Sequence, residues 1–328
     1  MASALHVERA TRRAHVAALI QGSGAVVVLV IVTLLGTLVF GPRFASVNNF
    51  LNIIEDSSFL ALLAIGMTFV IMGGGIDLSV GSMLALGAVL AAFAGQGGDP
   101  AAAILLPLAV GGAIGIANGL LIARGRLAPF IVTLAALLFA RGLAFFVANN
   151  GNSVYLIPDD AWFVQLGQGS LAGIRYPILI AGIAFAVAWI LFNRTRYGAA
   201  VAAVGGQEDA ARLMGLPIVR VKVAMYLGTA LLATLAGMLV AARSSSGLSS
   251  IAEGWELKAI AAVVIGGTLL TGGKGSIVGT MAGVLLLGVI QNLINQVGTL
   301  TSYVQLVVSG TFLLIVVVAQ TLLTRAQR

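Results

Sequence analysis

NRTRYGAAVAAVGGQEDAARLMGLPIVRVK, Asn193 to Lys222, is the longest polar interruption between two apolar blocks in this chain. It carries Arg194, Arg196, Arg212, Arg220 and Lys222 against only Glu208 and Asp209. Lys and Arg accumulate in the cytoplasmic loops of membrane proteins, so this stretch is expected on the cytoplasmic side. Gln207 to Met214 reads as a short helix. It has acids at its start, Gly205-Gly206 before it, and Gly215-Leu216-Pro217 to end it. Held outside the bilayer between two spans, it reads either as a solvated connector or as a docking knob for a cytosolic partner.

Composition agrees with a membrane setting. Of 328 residues, 59% are hydrophobic and 9% are charged, against roughly 25% charged in soluble domains. The fold expected is an all-α polytopic membrane protein. The 42 glycines are nearly twice the usual share and point to closely packed spans. There is no Cys, which excludes disulfides and thiol chemistry. Both His lie near the N-terminus, so no His-based metal or catalytic site is expected in the spans. The sequence pI near 10.4 follows from positive-inside loops, without a nucleic-acid partner.

In chain order, a polar tail over 1–22 precedes a first span from Gly24 to Phe40, and Gly41 to Asp56 reads as an outer segment with a short helix near Asn48 to Glu55. Spans then follow at Ser57–Met72, from the Gly73–Ser79 break to Gly95, at Ala101–Ala123, from Pro129 to near Ala148, and at Pro177–Phe192. After the basic loop come Val223–Ala242, Leu257–Leu270, a ninth span ending near Gln296, and Ser302–Leu323. That makes about ten spans in one transmembrane domain over 23–323, with the cytoplasmic loop at 193–222 and a tail at 324–328. Several are shorter than the ~20 residues a crossing needs, so they are expected to be tilted, broken or buried by neighbours. With both termini inside, thirteen of the eighteen cations fall on the cytoplasmic side.

A weak internal repeat is visible. Gly74-Gly75 with Val80-Gly81-Ser82-Met83 matches Gly272-Gly273 with Val278-Gly279-Thr280-Met281. It reads as a transporter repeat or as independent glycine-rich packing.

The motifs GMTFVIMGGGIDLSVGS (Gly66–Ser82), LAPFIVTLAALLFARG (Leu127–Gly142), NRTRYGAAVAAVGGQEDAARLMG (Asn193–Gly215) and ELKAIAAVVIGGTLLTGGKGSIVGT (Glu256–Thr280) carry a family resemblance. The chain resembles the permease subunit of ribose-type monosaccharide ABC importers. The resemblance implies import of a small neutral sugar such as a pentose or hexose, with autoinducer-2 or a nucleoside as alternatives. It also implies a cytosolic ATPase carrying two ABC modules, a periplasmic sugar-binding protein, a second permease copy or paralogue, and the bacterial inner membrane. It places Gly205, Gly206, Glu208, Asp209, Ala211, Arg212, Met214 and Gly215 in the segment coupling to the ATPase. One position departs: where the family usually has Glu-Leu-Asp, this chain has Glu256-Leu257-Lys258.

Five residues are candidates for the pathway or its gating: Asp77, Ser79, Asn118, Arg141 and Asn292. Asp77, expected near the cytoplasmic end of its broken helix, reads as a cap accepting N–H bonds or as a sugar contact. Arg141 reads as a snorkelling cation, a path-lining donor or half of an ion pair. Asn118 and Asn292 supply amides suited to a neutral polyhydroxyl solute, or hydrogen bonds between helices. GGKGS at Gly272–Ser276 lacks the P-loop spacing. No cofactor is therefore expected in this chain, and ATP with Mg belongs to the partner. An ion-coupled carrier would need carboxylates or His deep in several spans. An intramembrane enzyme would need a catalytic constellation. The sequence offers neither.

Overall fold

The computed structural model describes residues 24–97, 99–159 and 161–298, with six scattered positions between 304 and 318. The tails at 1–22 and 324–328 and nearly all of the span expected at 302–323 lie outside the described residues. Seven described helices are long and apolar enough to cross a membrane: α1 (Gly24–Arg43), α2 (Val47–Met72), α4 (Pro100–Ala123), α5 (Pro129–Val147), α7 (Tyr176–Arg194), α10 (Ile218–Ser244) and α12 (Ile277–Val297). Two apolar helices are shorter, α3 (Val80–Gly95) and α11 (Trp255–Ile265). Outside these lie α6 (Trp162–Gln168), α8 (Arg196–Gly206) and α9 (Glu208–Leu213). Four two-residue strands make two small antiparallel pairs. β1 (Tyr155–Leu156) pairs with β4 (Ser246–Gly247), and β2 (Ser170–Leu171) with β3 (Ile174–Arg175).

The chain is an all-α polytopic membrane protein built around α2. In its most apolar stretch 83% of α2 is buried, against 17% for α7 and 11% for α1. A helix apolar all round is either enclosed by protein or facing lipid, and burial separates the two kinds here. Helices α7, α10, α11 and α12 pack around α2, and α10 also packs on α3 and α4. The α4–α10 seam is made by Gly111, Gly115 and Gly119, one per turn on one face of α4. A Cβ at Gly115 would come within 3.0 Å of the Leu227 backbone. In lipid, such small-residue stripes replace the missing hydrophobic drive with close van der Waals contact.

Three boundaries differ most from the sequence reading. Helix α10 starts at Ile218 rather than Val223, so Arg220 and Lys222, expected in the loop, belong to its first turns. The segment expected as an outer stretch with its own short helix is the first part of α2, whose N-cap Ser46 accepts from the Asn49 N–H. Nothing between Glu55 and Ser57 can break a helix, so the polar turns and the apolar run are one rod. The eighth span, expected to Leu270, stops at Ile265 because Gly266-Gly267 follow. At eleven residues it is about 16 Å long, half a crossing.

The two breaks, 73–79 and 266–276, meet each other. The Met72 carbonyl, orphaned at the end of α2, accepts the Gly273 N–H at 2.8 Å. Gly205, near the end of α8, lies on the same carbonyl so closely that a Cβ there would overlap it. A Cβ at Gly272 would sit 3.1 Å from the Gly74 Cα. So the two arms of the suspected repeat and the end of α8 form one backbone junction. Gly74 and Gly272 both have φ near +80°, which L side chains rarely adopt.

Gly205→Ala is expected to cost about 2 kcal/mol or more through overpacking. Gly228→Ala, with open space around its Cα, is expected to be neutral or stabilising. Thermal unfolding of both variants in detergent measures the difference.

Candidate functional site

At one end of the bundle, α8 and α9 project from the junction. Thr195 caps α8, its hydroxyl accepting from the Gly198 N–H at 3.4 Å. Glu208 then fixes α9 with two partners: Arg212 Nη2 at 2.9 Å and Lys222 Nζ, on α10, at 2.6 Å. Partial burial pushes the Glu208 carboxyl up. The hydrogen bonds and charges of Lys222 and Arg212 outweigh this and hold it below its ordinary value. Ala211 turns inward and is fully buried, while Met214 is exposed and Gly215 reverses the chain at φ +79°. Gly206 faces Gly273 across the junction. Asp209 stands with Glu208 in the first turn of α9. Leu213, which the sequence reading left out, is 90% exposed. Its signal was periodicity, since a helix that turns Ala211 inward turns Leu213 outward.

Deeper in, the break before α3 holds Asp77 and Ser79, both buried. Asp77 Oδ1 accepts the Ser79 N–H at 2.9 Å and the Ser79 hydroxyl at 2.6 Å. Asp77 is buried inside the bundle, at the break before α3. The neighbouring Ile76 carbonyl accepts from Thr133, one turn into α5, and a Cβ on Gly75 would strike the Tyr226 hydroxyl, two turns into α10. The break rises into the bundle because its glycines let the backbone climb without a side chain in the way.

Arg141, on α5, donates through Nη1 to the carbonyls of Ser249 and Ile251, at 2.8 and 2.9 Å. It pins the loop between α10 and α11, and no described carboxylate pairs with it. Asn118 is buried on the α4 stripe that packs on α10, away from any cavity described here. Of Asp77, Asn118 and Asn292, only Asn292 lines the cavity between α2, α10, α11 and α12.

At the end opposite α8 and α9 lies a cavity of about 530 Å³ between α2, α10, α11 and α12. It follows α12 from Asn295 in to Val284, about 16 Å of helix. Asn292 lines it and exchanges amide hydrogen bonds with Asn49, at 2.9 and 3.2 Å, while Gln296 donates to the same Asn292 oxygen. Beside the cavity, the buried Glu55 carboxylate meets Arg175 at 2.7 Å. It also lies 3.3 Å from Arg243 Nε without forming a hydrogen bond there. Arg243 in turn reaches Asp56 at 2.6 Å and lies over the Phe59 ring. Sequence reading counted these charges only as outer-loop residues. The pairing joins residues about 120 and 190 positions apart, and single-sequence spacing does not carry such distances.

A family model described as "branched-chain amino acid transport system / permease component" matches residues 49–317. The chain belongs to this permease family. Ribose import permease RbsC of Escherichia coli K12 is 41% identical over 302 residues, which cover 91% of this chain and 93% of the relative. RbsC of Bacillus subtilis is 41% identical, covering 93% and 94%. The L-arabinose permease AraH of Azospirillum brasilense is 37% identical, covering 95% and 91%. No solved structure matches. The family description names amino acids, but this end-to-end similarity ties the permease to the monosaccharide ABC importers. It is a multi-pass protein of the cytoplasmic membrane.

Two outcomes follow from these charges. Glu55→Gln is expected to lower stability by about 1–3 kcal/mol, since it leaves two half-exposed guanidinium groups without their shared carboxylate. Asp56→Asn, at an exposed pair, is expected to cost less than about 1 kcal/mol. Thermal unfolding in detergent reads both. For Glu208, a folded pKa below the unfolded one means a contribution present above about pH 4.5 and lost as pH falls through the lower folded value. Amide exchange in α9, corrected for intrinsic rate, is therefore expected to hold steady from about pH 8 to about pH 5 and to rise below that.

Proposed function

We propose that this permease is the membrane-spanning subunit of an ATP-driven importer for a small sugar delivered by a periplasmic binding protein. The observation that carries this reading is the 41% identity, over nine-tenths of both chains, to permeases named for ribose import. In this reading the α8–α9 end faces the cytoplasm with both termini. ATP and Mg are held by a separate ATPase with two ABC modules, and a second permease copy or paralogue completes the pore. Pentoses and hexoses are the substrates first in line.

The geometry gives that machine a physical route. Leu213 and Met214 offer an exposed apolar tip for an ATPase groove, and the Glu208 pairs hold the tip rigid against α10. Closure of the ATPase dimer would push α9. Through the Gly205 contact the push arrives at the end of α2 and at the breaks before α3 and α12. Those breaks have no helical ladder to lose, so they are where the bundle yields. The cavity at the far end is the place for sugar released by the binding protein.

The test is a mild-detergent pull-down of the tagged permease from its native membrane, with ATP hydrolysis read on the eluate. Wild type is expected to bring an ATPase with it. Leu213→Asp/Met214→Asp is expected to reduce its yield about tenfold, the loss of roughly 1.4 kcal/mol of apolar contact. An eluate without ATPase, under conditions that keep complexes intact, would sink the importer reading. A full yield from the double variant would keep the importer and move the docking tip elsewhere.

A further inference from the structure

The cavity between α2, α10, α11 and α12 has a wall whose chemistry is more specific than a passage for any small polyol. Trp255 and Lys258 stand three residues apart on α11, neighbours on one helix face, and both line the cavity. The Lys258 ammonium lies 5.8 Å from the centre of the Trp255 ring. The other charges on the wall are Arg243 and Asp56, and these are paired with each other at 2.6 Å. Among the described residues no carboxylate comes within ion-pair distance of Lys258. Across the cavity, Ser57 is 95% buried, since its exposure is 5%. Ser57 lines the cavity, while its hydroxyl is turned onto Gly288 of α12 and has no hydrogen-bond partner. Asn292 adds an amide.

A half-buried cation without a counter-charge is a costly arrangement. A bound anion removes that cost. The volume suits a small ligand. Trp255 offers an apolar ring face for the C–H face of a sugar, and the amide N–H that Asn292 does not give to Asn49 offers a hydrogen bond to a hydroxyl. What remains is a cation that asks for an anion.

We propose that this cavity binds an acidic monosaccharide, a sugar whose carboxylate pairs with Lys258 while its ring packs on Trp255 and a hydroxyl reaches Asn292. This rests on the sugar-importer reading and narrows its substrate class. A carboxylate in the wall repels an anionic sugar, and an ammonium recruits one.

The test measures equilibrium binding of radiolabelled galacturonate and galactose, which differ only at C6, to the detergent-purified permease in its native complex. Galacturonate is expected to bind at least about tenfold more tightly, the smaller end of what a charge-assisted hydrogen bond contributes. The preference is expected to fade as salt is raised. Lys258→Gln is expected to abolish it and Lys258→Arg to keep most of it. The arginine variant separates loss of charge from loss of fold. Equal binding of the two sugars, tighter binding of galactose, a preference unchanged in Lys258→Gln, or no binding of either sugar would each overturn the proposal. None of these outcomes bears on whether an ATPase co-purifies, so failure here is distinct from failure of the importer reading.

Discussion

The tightest constraint in this permease is backbone against backbone at the inner junction. The last carbonyl of α2 has no partner in its own helix and accepts an N–H from Gly273. Gly205 lies directly on that carbonyl, and Gly74 and Gly272 touch behind it. Three segments far apart in sequence therefore converge where no side chain fits. In a bilayer there is no water to satisfy a broken helix end, so such ends must find partners in protein. This junction is what allows two helices to break within the membrane domain. The short α3 and α11, and the irregular segments before α3 and α12, all depend on it.

Much of this was legible in the sequence for physical reasons. Apolar runs long enough to cross a bilayer have little choice but to be helices, and α4, α5, α7 and α12 lie close to where the runs put them. The basic loop reads as a short capped helix because acids, glycines and a proline mark its ends, and α9 lies there within a residue at each end. The Gly74 and Gly272 motifs read as a repeat or as glycine-rich packing, and they meet in space.

What sequence left unread was mostly tertiary. The start of α2 looked like a separate outer segment because its asparagines and acids are polar. Those residues are polar because Asn49 and Glu55 face Asn292, Arg175 and Arg243, partners up to 243 positions away. Asp77 reads as a cap or a sugar contact, and only the fold shows that its carboxylate is buried and accepts from Ser79. Arg141 reads as a snorkelling cation, a path-lining donor or half of an ion pair, and its donation to two loop carbonyls appears only in the fold, since a carbonyl leaves no trace in composition. The cavity wall of Ser57, Trp255, Lys258 and Asn292 draws on three helices, and only the fold assembles it.

One further property of α2 concerns distance. Met72 at the junction and Ser57 at the cavity wall lie fifteen residues apart on one unbroken helix, about 22 Å of rigid rod. If the rod swings about 5° around the junction, Ser57 sweeps about 2 Å, more than the tolerance of a hydrogen bond. Gly205 lies at the fulcrum. A displacement too small to disturb the packing at one end is thus enough to make or break a polar contact at the other, and the grip on a bound molecule becomes a readout of angle.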